Sequence, residues 1–239
     1  MIKDIEIIFE DKDILVCRKP AGVATQTKRL GQQDMESLLK NYRAKKGETP
    51  YIGIVHRLDQ PVEGVMVFAK NQKAAANLSK QVQDRVIGKY YYAISSNSPQ
   101  EPTGILEDYL LSDKKVNVTK VVPKDTMGAK KAKLEYCVIE TKENKTLFQI
   151  KLHTGRQHQI RVQMASIGCA LVGDNKYGDV ADKTLLALCS YKLEFQHPTK
   201  KISMEFEIQP AGKVYKTFFN NSDARNDHNI ISCGEKKTQ

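Results

Sequence analysis

The sequence predicts an α+β domain built on a mixed, mainly antiparallel sheet. Three observations lead there. Several segments alternate apolar and polar residues with period two, the pattern of strands that bury one face. Helical periodicity is confined to a few stretches. Many strands follow one another without an intervening helix, so the alternation of a parallel βαβ sheet does not fit.

The elements follow in chain order. Ile5–Phe9 and Ile14–Cys17 read as strands. Asp34 can cap a helix that runs through Leu38, Leu39 and Tyr42. Tyr51-Ile52-Gly53-Ile54-Val55 reads as a strand, and the apolar run Val65-Met66-Val67-Phe68-Ala69-Lys70 as another after a turn. Asn71 is an N-cap candidate, and Ala75, Leu78, Val82 and Val86 recur at three- and four-residue steps toward Gly88. Tyr90–Ile94 and Lys133–Val138 are strand candidates, and Phe148, Ile150 and Leu152 alternate with Gln149 and Lys151. A third helix is expected to start near Thr154-Gly155 and to carry Ile160, Met164 and Ile167 on one face. Gly168 sits where a C′ glycine belongs. Leu185–Ser190 is a further strand. So is the segment in which Ile202, Met204, Phe206 and Ile208 alternate with Ser203, Glu205 and Glu207. Residues 1–219 are expected to form one domain, with no repeat and no linker rich in Pro, Gly or Ser. Asn220–Gln239 is polar apart from Ile230-Ile231 and is expected to be a flexible tail.

The bulk properties narrow the function. A chain of 239 residues with 40% hydrophobic and 28% charged residues can bury a sizeable core. No apolar run approaches the roughly 20 residues needed to span a bilayer, and the acidic N-terminus lacks the pattern of a signal peptide. A cytoplasmic protein that does not enter membranes is expected. Lysines and arginines number 38 against 28 acids, a net charge of +10. With a pI near 9.2, that bias favours a polyanionic partner, above all nucleic acid. The cysteines at 17, 137, 169, 189 and 233 form no C-x-x-C pair and fit buried free thiols in a reducing compartment. His153 and His158 are five apart, a poor match to a helical metal pair, and there is no Gly-rich phosphate loop. Neither a metal nor a nucleotide cofactor is expected.

Three constellations carry candidate chemistry. His56-Arg57-Leu58-Asp59 ends in a carboxylate beside a cation, at the handover between two apolar segments. A carboxylate in that setting can serve as nucleophile or base. Taken alone, an Arg-x-Asp pair more often marks a surface ion pair of about 0–1 kcal/mol. Lys89-Tyr90-Tyr91-Tyr92-Ala93-Ile94 puts three tyrosines on one strand, with Tyr91 facing away from its neighbours. A tyrosine can stack on a base and move a proton, although a core aromatic is the commoner role. Leu152 to Arg161 is dense in hydrogen-bonding side chains at an expected helix start, where an anion is favoured and Arg156 would reinforce it. His158 and Arg161 would share a face, and Arg161 could grip a carboxylate with a bidentate fork.

The chain resembles the RluA-type family of RNA pseudouridine synthases. The matching pieces occur in order: Arg18-Lys19-Pro20-Ala21-Gly22, His56-Arg57-Leu58-Asp59, Lys89 with Tyr91 and Ala93, and Thr154 to Arg161. Gly173-Asp174 with Tyr177-Gly178 and then His197-Pro198 follow. The resemblance covers roughly residues 5–210. It implies the pseudouridine synthase fold with a central catalytic cleft, no cofactor, and an RNA substrate, either ribosomal RNA or a transfer RNA stem-loop. The chain is expected to consist of the catalytic domain, without the N-terminal RNA-binding domain of many relatives, and to be a monomer. Two departures stand out: Val62-Glu63-Gly64 replaces the family's Thr-Ser-Gly, and Gln163 replaces a frequent His.

By this resemblance Asp59, Tyr91 and Arg161 are the catalytic candidates. Asp59 acts at the sugar, Tyr91 stacks on the uracil and takes part in proton transfer, and Arg161 pairs with Asp59. Arg57 occupies the place vacated by the flipped base, and His56 shapes the site or contacts phosphate. Leu58 and Ile160 wall the pocket, and Arg156 and His158 join the substrate contacts. Two other readings compete. One is an inactive RNA-binding or ribosome-assembly protein on the same fold. The other is a small-molecule hydrolase that uses Asp59 with Glu63 as its partner acid.

Overall fold

A computed structural model describes residues 5–29 and 31–219. The expected tail, Asn220–Gln239, lies outside them. Eleven strands form one sheet: β1 (Ile7–Glu10), β2 (Ile14–Lys19), β3 (Gly53–Ile54), β4 (Glu63–Ala69), β5 (Gly88–Ser95) and β6 (Thr103–Asp113) come first. They are followed by β7 (Val118–Val122), β8 (Lys130–Lys142), β9 (Lys145–Leu152), β10 (Leu188–Gln196) and β11 (Ser203–Glu207). The order across the sheet is β1-β2-β4-β10-β5-β9-β8-β6-β7, with β3 beside β4 and β11 beside β10. Among the described strands β4 and β10 are the one parallel pair, joined at Cys189↔Glu63 and Ser190↔Gly64. The sheet is therefore mixed and mainly antiparallel, in an α+β domain.

Period two assigns each strand residue to one of two cores. Leu15, Cys17, Met66, Phe68, Tyr91, Phe148 and Ile150 point to one face. Ile14, Val16, Val65, Val67, Tyr92, Ile94 and Leu147 point to the other. All seven residues of β4 are buried, as a strand covered on both sides must be. Helices α1 (Met35–Lys45) and α3 (Gln159–Ser166) cover the first face through Leu39, Ile160 and Met164. Helix α2 (Gln72–Gln83) covers the second through Ala74 and Leu78.

Local capping explains where the first two helices begin. Asp34 accepts the Ser37 N–H while the Ser37 hydroxyl accepts the Asp34 N–H, a reciprocal box. Asn71 accepts the Ala74 N–H. Helix α2 stops at Gln83, earlier than the apolar spacing suggests. Arg85 takes φ +58, and Val86 is 61% exposed beyond the helix. Helix α3 starts at Gln159, not near Thr154-Gly155. His158 is left-handed (φ 53), and the Gln159 side chain turns back to accept the Arg156 N–H and the Thr154 hydroxyl. Gly168 follows that helix at φ +78, as expected of a C′ glycine.

Some strands are displaced from their sequence-based positions. β10 begins at Leu188, and Leu185 is 69% exposed. Of the expected strand at Tyr51–Val55 only Gly53–Ile54 pairs. The sequence pattern does not reveal β6 and β7, because apolar residues fall on both faces of β6: Ile105 is 58% exposed next to half-buried Leu106.

Gly64 and Gly173 are required by close approach. A Cβ on Gly64 would lie 2.4 Å from the Ser190 Cβ, where β4 and β10 pair. A Cβ on Gly173 would lie 2.5 Å from the Leu185 carbonyl, and φ is +73 there.

The β1 end of the sheet is tied to the rest by charge. Glu10 accepts from Lys70 (2.6 Å), Lys46 (2.9 Å) and Tyr42 (2.9 Å). Burial alone would raise the Glu10 carboxyl, but these donors outweigh it and bring it down to about 2. A carboxylate depressed in the fold stabilises it above the unfolded pKa and loses that contribution as pH falls through the folded value. Between about pH 4.5 and 2, wild-type stability in urea melts should therefore fall more steeply than that of Glu10→Gln.

Candidate active site

The turn that carries Asp59 is held by the segment Lys19–Thr25. The Lys19 ammonium, fully buried, donates to the carbonyls of Pro20 (3.0 Å), Val23 (2.6 Å) and Gln60 (3.1 Å). The Gly22 N–H donates to the Gln60 carbonyl, and the Gln60 amide returns a bond to the Gly22 carbonyl. The Thr25 hydroxyl donates to the Leu58 carbonyl and accepts the Leu58 N–H. The residues on both sides of Asp59 are thus pinned, which fixes its backbone on a rigid support.

Arg161 projects from α3 toward this turn. Its Nε and Nη2 form a bidentate pair with Asp174, at 2.7 and 2.6 Å. The fork expected for Asp59 belongs to Asp174, and Arg161 meets Asp59 with its remaining arm, Nη1 to Oδ2 at 3.8 Å. Asp174 also accepts the Lys176 and Tyr177 N–H groups, and the Tyr177 ring lies under the guanidinium at 5.2 Å. Burial would raise the Asp174 carboxyl, but Arg161 and these N–H groups lower it. Burial would likewise lower the guanidinium, but Asp174 and then Asp59 raise it.

His158 flanks Asp59 on the other side, Nε2 to Oδ2 at 3.8 Å. The Tyr177 hydroxyl accepts the Thr119 N–H and is hydrogen-bonded to His158 Nδ1 at 2.8 Å. Nδ1 is thereby engaged, and Nε2 is the ring nitrogen that faces Asp59. Burial lowers the His158 pKa, against an opposing pull from Asp59.

Tyr91 reaches the same cleft from β5, two strands from β4 across the sheet, with Leu58, Ile160 and Leu188 around it. Burial raises its phenol, so Tyr91 enters the site as a protonated hydroxyl. His56 is neutral. Burial, with help from Lys89, pushes it down to about 3, and its Nε2 accepts the Val67 N–H. It shapes the turn and does not offer that nitrogen to a phosphate. Arg57 is exposed at the cleft and is held by Gln26 at 2.6 Å. Arg156 also lines the cleft, but it precedes the helix start, and its Nε donates to the Lys131 carbonyl.

The cleft encloses about 1370 Å³. Five arginines (Arg29, Arg57, Arg85, Arg156, Arg161) and three lysines (Lys89, Lys114, Lys176) line it, against one carboxylate among the described residues, Asp59. Like charge around a cleft focuses its field and draws in an anion.

Of the departures from the family pattern, Val62 lines the cleft, whereas Glu63 and Gln163 face elsewhere. Glu63 is buried and accepts the N–H groups of Ala211 and Gly212 at 3.1 Å, which ties the segment after β11 to the start of β4. It does not line the cleft, so it is not a second acid beside Asp59. Gln163 is fully buried, donates to Asp108 (2.6 Å) and accepts from Gln159 (2.9 Å).

Asp11, Asp13 and His197 form the acidic cluster nearest to a metal site among the described residues, their ligand atoms within 4.8 Å of one another. The donor set does not suit a cation. His197 Nδ1 accepts the Thr199 and Lys200 N–H groups, so Nε2 carries the hydrogen and donates to Asp11 at 2.9 Å. The Lys200 ammonium binds the same oxygen.

Asp174, Tyr177, Lys19 and Thr25 serve this site without having been assigned a role from sequence. Gly173-Asp174 and Tyr177-Gly178 are visible as motif pieces, but only the fold shows that they hold Arg161. Asp174→Ala should leave the Arg161 charge buried without its partner. The expected loss is about 3–5 kcal/mol in urea unfolding.

Known proteins share the sequence and the fold of this chain. The RNA pseudouridylate synthase family profile matches residues 13–166. A protein of Aquifex aeolicus named as an uncharacterized RNA pseudouridine synthase is 36% identical over 221 residues, 86% of this chain and 69% of the relative. The ribosomal large subunit pseudouridine synthase D of Pseudomonas aeruginosa is 35% identical over 221 residues, 85% of this chain and 68% of the relative. The chain thus spans about two thirds of the length of these relatives. The solved structure of human RNA pseudouridylate synthase domain containing 4 superposes with a TM-score of 0.72 at 21% identity, over 86% of this chain and 89% of that one, and shares its fold. A cleft with one carboxylate, set in that fold and matched along most of the chain, makes this protein a member of the RNA pseudouridylate synthase family.

Proposed function

We propose that the chain isomerises a uridine of a structured RNA to pseudouridine, that Asp59 is the nucleophile, and that the RNA is ribosomal. One observation carries the reading. Asp59, Tyr91 and Arg161 stand on three separate elements and meet in a single cleft whose other charged lining residues are all basic. An inactive RNA-binding protein would gain nothing from a lone carboxylate in such a cleft, since it repels phosphate. A glycosidase-like hydrolase needs a second carboxyl group across the bond. Glu63 is spent on Ala211 and Gly212.

The reaction exchanges one bond for another. The N1–C1′ bond breaks, the uracil turns, C5 bonds to C1′, the C5 proton leaves and N1 takes one up. Asp59 attacks at the sugar as N1 leaves and is released again when C5 takes its place, while Arg161 and His158 orient its carboxylate. Tyr91 supplies a stacking face and, as a protonated phenol, a hydrogen-bond donor. Arg57, exposed beside the cleft, fills the stack that the flipped base leaves, which offsets an unstacking cost of a few kcal/mol. Two relatives carry the name ribosomal large subunit pseudouridine synthase D, which favours ribosomal over transfer RNA. A stem-loop target, a monomeric enzyme and a cytoplasmic location go with this reading.

Asp59→Asn should abolish pseudouridine formation in total RNA while it leaves RNA affinity within a few fold. Appreciable conversion by that variant overturns the nucleophile. Tyr91→Phe keeps the stacking face and removes the hydroxyl. A drop in single-turnover rate of about 10²-fold or more is expected if the hydroxyl moves a proton. Pseudouridine maps of RNA from cells with and without the gene test the substrate, and sites lost only from transfer RNA would overturn the ribosomal assignment.

A further inference from the structure

Lys89 has no part in the chemistry above. It precedes Tyr91 by two residues on β5, so both side chains leave the same face of the strand, and both line the cleft. Its Nζ lies 3.7 Å from the point where a Cβ on Gly155 would stand, against the loop that leads into α3. Burial lowers its pKa, and no neighbouring group opposes the shift.

The buried lysines Lys19 and Lys70 show what half-buried Lys89 lacks. Lys19 is bonded to three carbonyls, and Lys70 to Glu10 (2.6 Å) and Glu48 (3.0 Å). Among the described residues Lys89 has no hydrogen-bonded or ion-paired partner. A partly desolvated ammonium left alone costs free energy, and an anion brought by the ligand removes that cost. The one carboxylate of the cleft, Asp59, is already flanked by Arg161 and His158. The anion that RNA brings is phosphate. Beyond Lys89 the cleft continues past Arg85 and His153 into an annex of about 360 Å³, walled by Lys131 and Lys133. Glu107 holds those two lysines at 2.8 and 3.0 Å. Arg85, in its left-handed conformation, stands where the two spaces join, and its guanidinium has no hydrogen-bonded or ion-paired partner among the described residues.

We propose that Lys89 binds the phosphodiester flanking the target uridine and that Arg85 binds the next phosphate as the strand leaves through the annex. The proposal rests on the reading of this cleft as an RNA site. It adds two positioning residues and the route of the strand.

The test measures binding of a fluorescent uridine-rich single-stranded RNA oligonucleotide to the full chain over a series of salt concentrations. Each lost phosphate contact should reduce the slope of log affinity against log salt by about 0.7. Lys89→Gln and Arg85→Gln should each do so and weaken binding about tenfold at 0.1 M salt. The double variant should lose about twice the slope, and Lys89→Arg should restore it. Thermal melts check folding. If Lys89→Gln does not fold, Lys89→Arg and Arg85→Gln still decide. An unchanged slope overturns the proposal. So does a loss of turnover with binding and slope intact, which would move Lys89 into the chemistry, and so does a wild-type chain that does not bind the oligonucleotide. Pseudouridine formation by the wild type is scored separately. Binding without conversion would remove the enzymatic reading and leave the phosphate assignment to the slopes.

Discussion

The site depends on the ion pair between Arg161 and Asp174. A guanidinium buried beneath a sheet face must be paired and hydrogen-bonded, and Asp174 supplies a two-pronged partner that is itself held by two backbone N–H groups. With two of its three nitrogens committed, Arg161 can present only Nη1 to Asp59. The pair sets the direction and the reach of that contact. The same turn delivers Tyr177, which stacks on the guanidinium and holds the His158 ring through Nδ1. One short segment, residues 173–178, therefore orients both groups that face the Asp59 carboxylate.

The carboxylate is constrained from the opposite side. Lys19, Gly22 and Thr25 bind the backbone around Asp59 without touching its side chain. The division follows from what each task needs. Backbone position is set by hydrogen bonds to carbonyls and amides, while the side chain must stay open to a substrate. The surrounding basic lining then serves attraction over distance, and Lys89 and Arg85 serve contact within the cleft.

The substitution at residues 62 and 63 leaves Asp59 as the one carboxylate lining the cleft among the described residues. Val62 joins the core beside the Asp59 turn, and Glu63 turns away from the cleft to receive the chain at Ala211-Gly212. A residue that reads from sequence as a candidate second acid serves to tie down the end of the domain.

Much of the fold was legible in the sequence. The caps at Asp34 and Asn71, the buried strand β4 and the alternation in β9 depend on neighbours two to four positions away, so residue order alone determines them. The ordered motifs likewise singled out Asp59, Tyr91 and Arg161. The late start of α3 was not legible, because it depends on Gln159 bending back over its own loop. Nor were the partly exposed strand β6 and its partner β7. What only the tertiary structure decided is which charge meets which. Arg161 lies 13 residues from Asp174 and 102 from Asp59, and both carboxylates are plausible partners on paper. The choice falls to Asp174 because burial rewards the partner that can satisfy two guanidinium nitrogens at once, and that geometry exists only after the sheet has brought α3 and the 173–178 turn together.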